Sequence, residues 1–170
     1  MISIEVTPQI EADAEQAVKE LWASGHRKDA NKLRVENGDW VGFVGEYALQ
    51  DYFNKQGLNV KHHTDHSKPS PIDYWFPYIA NDGTERVVEI DLKTGSKPDY
   101  KYLMFPKSQG VKAQMYIGAL YTGTAVDVYG YALPRELRDI TNEVKTQVPS
   151  WGRRLDELHD ISKLIERGVR

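Results

Sequence analysis

The sequence predicts one α/β domain, a mixed sheet of about five strands flanked by helices, with extra helices at the N- and C-terminal ends. Three observations carry this expectation. Apolar residues recur at spacings of three and four near both ends of the chain and again between 40 and 56. Between 58 and 133 the pattern becomes strand-like, with runs rich in aromatic and β-branched residues. Two of those runs are separated by Asn81-Asp82-Gly83-Thr84, a hairpin signal. A chain of 170 residues, 40% of them hydrophobic, buries enough surface to fold without staples, and the absence of cysteine excludes disulfides, thiol nucleophiles and thiolate zinc sites. No repeat or linker divides it.

The elements follow in order. Ile10, Ala14, Ala17, Val18 and Leu21 make an amphipathic helix from about Pro8 to Ser24, with Gly25 as its stop. Residues 26 to 38 are polar and end in the turn signal Glu36-Asn37-Gly38. Asp39 then caps a second helix over Trp40 to Gln56, and Gly57 takes the left-handed position that ends it. Leu58 to Lys61 reads as a short strand. Ile72 to Ile79 and Glu85 to Lys93 form the hairpin, a short helix is expected near Ser108 to Gln114, and Met115 to Tyr121 and Ala125 to Leu133 are further strands. Leu155, Leu158, Ile161, Leu164 and Ile165 predict a last helix across Trp151 to Arg167.

The net charge of -3 conceals a gradient. Residues 1 to 57 carry 6 basic and 10 acidic groups, 58 to 134 carry 8 and 8, and 135 to 170 carry 8 and 7. Within the neutral middle, Lys93, Lys97, Lys101, Lys107 and Lys112 are opposed only by Asp99, a local balance of +4 that suits a phosphate backbone. No apolar run approaches the roughly 20 residues that span a bilayer, and Met1 to Glu20 lacks the basic end and apolar stretch of a signal peptide. A cytoplasmic protein without membrane partners is the expectation.

Alternation assigns Val88, Ile90 and Leu92 to one face of the second hairpin strand and Glu89, Asp91 and Lys93 to the other. On the first strand Ile72, Tyr74, Phe76 and Tyr78 make the apolar face, leaving Asp73 on the side of Asp91. If Ile72 pairs with Leu92, the two carboxylates lie opposite each other and can share a cation. That pairing demands an odd-numbered loop or a bulge; a two-residue turn would put them on different faces. Converging carboxylates repel unless a hard divalent ion such as Mg²⁺ or Mn²⁺ relieves them. A lysine beside such an ion can orient an attacking water, the chemistry of phosphodiester hydrolysis.

With Pro71-Ile72-Asp73, the hairpin turn and Asp91-Leu92-Lys93, preceded by Gly45-Glu46-Tyr47-Ala48-Leu49 in a helix, the chain resembles the PD-(D/E)XK nuclease superfamily. These are the restriction-endonuclease-like and Holliday-junction-resolvase-like folds. The resemblance covers roughly 40 to 133. It implies a restriction-endonuclease-like core, with Glu46, Asp73 and Asp91 as metal ligands, the Leu92 carbonyl as a further ligand and Lys93 positioning the nucleophile. Glu89 is an extra acid, a second-metal ligand or a stand-in for Asp91. Proline stands one residue further from Asp73 than in the tightest form of the motif, Asp replaces the commoner Glu in the tripeptide, and no Gln-x-x-x-Tyr motif follows.

The resemblance further implies a Mg²⁺-dependent deoxyribonuclease, an endonuclease before an exonuclease, acting as a homodimer. Lys97, Lys101, Lys107 and Lys112 are the candidates for DNA contact. A different reading is a nucleic-acid-binding or assembly protein that keeps the fold without catalysis; a third is a Mg²⁺-dependent enzyme acting on a small phosphate ester. A solvent-facing strand with a salt bridge explains Asp91 and Lys93 alone, but not their order with Glu46 and Asp73. His62-His63-Thr64-Asp65-His66 reads as a polar strand end, with at most a phosphate contact near Asp73.

Overall fold

The computed structural model describes residues 1–26, 32–68, 70–96, 100–107, 110–137, 143–144 and 150–170. The fold is mixed α/β. A six-stranded sheet has the order β1-β7-β6-β4-β3-β2, with β1 at Ile2–Glu5, β2 at Lys61–His62, β3 at Tyr74–Ile79, β4 at Glu85–Gly95, β6 at Met115–Tyr121 and β7 at Ala125–Ala132. Only β4 and β6 run parallel; the other neighbours are antiparallel. A second, three-stranded sheet joins β5 (Tyr102–Pro106), β9 (Ser150–Arg154) and β8 (Glu143–Val144).

Helix α1 (Pro8–Ala23) forms where expected, with the Thr7 hydroxyl accepting from the Ile10 N–H, Pro8 at its start and Gly25 in the left-handed conformation beyond its end. Helix α2 begins earlier than predicted and covers Lys32–Lys55. Glu36-Asn37-Gly38 is therefore helical and Asp39 is not a cap. A helical glycine costs about 1 kcal/mol against alanine, which packing of α1 on α2 can override. The far end matches the expectation: Gly57 has φ 69°, and the Leu58 and Gly57 N–H groups donate to the Phe53 and Asn54 carbonyls.

The sheet separates two apolar layers. Val44, Ala48, Leu49 and Phe53 of α2 pack with α1 against Tyr74, Phe76, Ile90, Leu92, Ile117 and Val128. On the other side Ile72, Leu103, Ala113, Tyr116, Leu137 and Leu155 form a smaller cluster, with Leu137 from the short helix α3 (Pro134–Leu137). The predicted C-terminal helix is divided between these layers. Trp151 to Arg154 are strand, Leu155–Glu157 a 3-10 turn, and His159 bridges to Tyr131 before α4 (Ser162–Glu166). Leu155 serves one core while Ile161, Leu164 and Ile165 serve the other, so an apparent helical period records two separate burials.

Other differences are smaller. Strand β2 lies at Lys61–His62 rather than across Leu58 to Lys61, because Leu58 completes the helix end. Residues 110 to 114 are not helical, and the rest of the helix expected near Ser108 lies outside the described residues. No helix among the described residues is long and apolar enough to cross a membrane.

Candidate active site

The hairpin register decides where the carboxylates go. Pairing runs from Ile79↔Glu85 to Tyr74↔Ile90, so the loop holds five residues, 80 to 84, and has the odd length that the acidic constellation requires. Gly83 (φ 80°) and the Ala80 N–H to Thr84 carbonyl bond close it. Past Tyr74 the ladder changes. The Asp73 N–H donates to the Ile90 carbonyl, and the Leu92 N–H donates not to backbone but to Asp73 Oδ2 at 2.7 Å. Ile72 is thereby turned into the smaller core, away from Tyr74 and Phe76, which corrects its predicted face.

Glu46 arrives from α2. Gly45 makes this possible, because a Cβ there would overlap Thr94 Oγ1 and lie 2.9 Å from the Thr94 Cβ; only a bare backbone lets α2 approach β4 so closely. Glu46, Asp73, Asp91, Leu92 and Lys93 consequently line one cavity of about 540 Å³. Gly38 and Gly42 line it too, with open space facing both, alongside Asp39 and Phe43 of α2. Glu89 stands apart, opposite Trp75, with its backbone bonded to Gln114.

The carboxylates form a partly buried, mutually repelling group. Burial, then the Asp91 charge, pushes Glu46 up to about 8 even though Lys93 opposes the shift. Burial, then Glu46 and Asp91, raises Asp73 well above its ordinary value, and Asp73 hydrogen-bonds to Asp91. Burial also raises Asp91, against the pull of Lys93, whose Nζ lies 2.7 Å from Asp91 Oδ1. Burial disfavours charge on Lys93 itself, but Asp91 and Asp73 outweigh it and raise its pKa. Lys93 is an ammonium and not a free base.

The histidines that read as a strand end are part of the same region. His62 Nε2 lies 3.3 Å from Glu46 Oε2, and its ring stacks on Tyr74, 5.0 Å between centroids. Burial, then His63, lowers His62 to about 4; with Glu46 raised, the contact is a neutral hydrogen bond rather than an ion pair. The Tyr74 hydroxyl donates to the Glu46 carbonyl, and Tyr47 shares a hydrogen bond with the buried His66. His63 and His66 line the cavity. The density of histidine just upstream of Asp73 was the available signal; what it lacked was the direction of α2.

Among the described residues, no three His, Asp or Glu side chains are arranged to hold an ion. Asp91 is engaged by Lys93, Asp73 by the Leu92 N–H and Glu46 by His62. The donor chemistry nevertheless suits a hard divalent cation, since three neighbouring carboxylates with raised pKa values gain from a positive charge among them. Holding one requires these side chains to exchange their present partners.

Of the candidate DNA contacts, Lys101 and Lys112 are exposed and Lys107 lies over the Trp151 ring at 4.2 Å. Lys97 lies outside the described residues. Arg153 and Arg154 pair with Glu136 and Asp156, so neither contributes a free positive charge. No family model, curated protein or solved structure matches the chain.

Proposed function

We propose that this chain is a metal-dependent deoxyribonuclease of the PD-(D/E)XK type, with a restriction-endonuclease-like core. One observation carries the reading: Glu46, Asp73, Asp91 and Lys93, from a helix, a strand start and the facing hairpin strand, line a single cavity. Glu46, Asp73 and Asp91, with the Leu92 carbonyl, would hold Mg²⁺ or Mn²⁺. When bound, such an ion lowers the pKa of a water and offsets charge on the phosphate. Lys93, charged and anchored by Asp91, orients the attacking water and balances the developing negative charge. The glycine-lined wall of α2 leaves room for a polymer backbone, and Lys101, Lys107 and Lys112, with Lys97, offer phosphate contacts. Endonucleolytic cutting by a homodimer follows from the resemblance.

The test is a panel of linear, nicked, branched and single-stranded DNA incubated with Mg²⁺ or Mn²⁺. Cleavage that disappears in EDTA and in Lys93→Ala is expected; cleavage unchanged in Asp73→Ala, Asp91→Ala and Lys93→Ala would overturn the proposal. A second reading, a nucleic-acid-binding protein that keeps the fold without catalysis, is favoured by the closed Lys93–Asp91 pair. DNA binding in EDTA with no Mn²⁺ bound in calorimetry would select it.

A further inference from the structure

At the turn end of the β3–β4 hairpin a second cavity, of about 660 Å³, opens between the hairpin, the adjoining ends of β6 and β7, and α4. Arg86, Lys163 and Arg167 line it against one carboxylate, Glu166. Arg86 is held in place by Asp82 at 2.6 Å and by the Thr84 hydroxyl at 3.2 Å. Neither Lys163 nor Arg167 makes a side-chain hydrogen bond or ion pair among the described residues. They stand four apart at the end of α4, where like charges on one helical face cost stability rather than add it. Their charges act on Asp160 and Tyr131 only at a distance, without a direct pairing.

The surroundings are of the opposite character. Val87, Met115 and Leu133 give the cavity apolar walls, Val87 remaining 54% exposed. Tyr78 and Tyr131 also line it, Tyr131 with its ring 5.1 Å from that of His159. Two unpaired cations beside a concave apolar surface focus a positive field on a volume of small-ligand size. The unpaired Arg167 guanidinium can present two parallel N–H donors to the tetrahedral oxygens of a phosphate, with Lys163 as a second cation and Arg86, already paired with Asp82, at the rim.

We propose that this cavity binds a phosphomonoester with a flat, largely apolar body, such as a nucleoside monophosphate. The phosphate sits among Arg86, Lys163 and Arg167, and the base lies against the tyrosine rings and the apolar wall. The site is separate from the carboxylates: Arg86 and Asp91 are five residues apart on β4, roughly 17 Å along the strand.

Calorimetry of the full chain in EDTA, with thymidine monophosphate, thymidine and inorganic phosphate as titrants, tests the assignment. The nucleotide is expected to bind saturably and at least about tenfold tighter than either fragment, and Lys163→Ala and Arg167→Ala each to weaken it about tenfold. Arg167→Lys keeps the charge but not the fork and falls between. Asp91→Asn leaves the affinity unchanged. No saturable binding, equal binding of inorganic phosphate, or indifference to both Lys163→Ala and Arg167→Ala in folded variants would overturn the proposal. Loss of binding in Asp91→Asn would overturn it too, by placing the nucleotide in the carboxylate cavity.

Discussion

Gly45 of α2 lies against Thr94 of β4 with no room for a single additional carbon. This contact sets the distance at which Glu46 meets Asp91 and Lys93. Gly45→Ala must push the helix from the strand or distort Thr94, at about 1–3 kcal/mol. Gly42, one helical turn earlier, faces open space, and Gly42→Ala should stabilise by up to about 1 kcal/mol. Denaturant unfolding of both variants checks the contrast.

The raised pKa of Glu46 makes stability fall with rising pH in the absence of divalent ions. Its folded value of about 8 exceeds the ordinary 4.5, so the unfolded chain releases a proton that the folded chain retains. The stabilising contribution is complete below about 4.5 and is lost as pH rises to 8, by then on the order of 2–4 kcal/mol. Glu46→Gln should therefore raise the melting temperature more at pH 8 than at pH 5. A difference that is flat with pH would contradict the assignment.

His62 and His66 act in the opposite direction. Burial, the largest cause for each, holds both at about 4, below the ordinary 6.5, so their contribution is complete above 6.5 and is lost as pH falls toward 4. Replacing His66 with Gln should flatten the acid limb of the stability profile, as followed by thermal melts between pH 4 and 7.

Cation binding should release protons, because Glu46, raised to about 8, holds one at neutral pH. Mn²⁺ titrations in two buffers of different ionisation enthalpy should differ in apparent heat, and affinity should rise between pH 6 and 8. Glu46→Gln should abolish most of both effects.

Lys93→Ala is expected to separate binding from turnover. Freeing Asp91 from its 2.7 Å ion pair leaves Mn²⁺ affinity equal or higher, while cleavage falls by roughly 10²–10³. Calorimetry and a single-turnover cleavage assay on the same preparation distinguish the two.

Much of this site was readable in one dimension. Asp73, Asp91 and Lys93 are tied by alternation on a hairpin, and a period of two with a loop of odd length leaves little freedom in where they project. The helix end at Gly57 and the start of α1 were equally legible, since capping is local chemistry. Elements whose form depends on remote partners were not. The turn-like Glu36-Asn37-Gly38 lies within α2, and the C-terminal run at helical spacing was drawn apart by two cores.

By itself, then, the sequence determined the α/β class, the hairpin and the order of the acidic residues, because those follow from periodicity and turn geometry within short stretches. Tertiary structure alone decided that β5, β8 and β9 form a second sheet, that His62 and His66 join the Glu46 region, and that Gly45 brings a helix against Thr94. The reason is contact between residues far apart in the chain, where burial outweighs local preference.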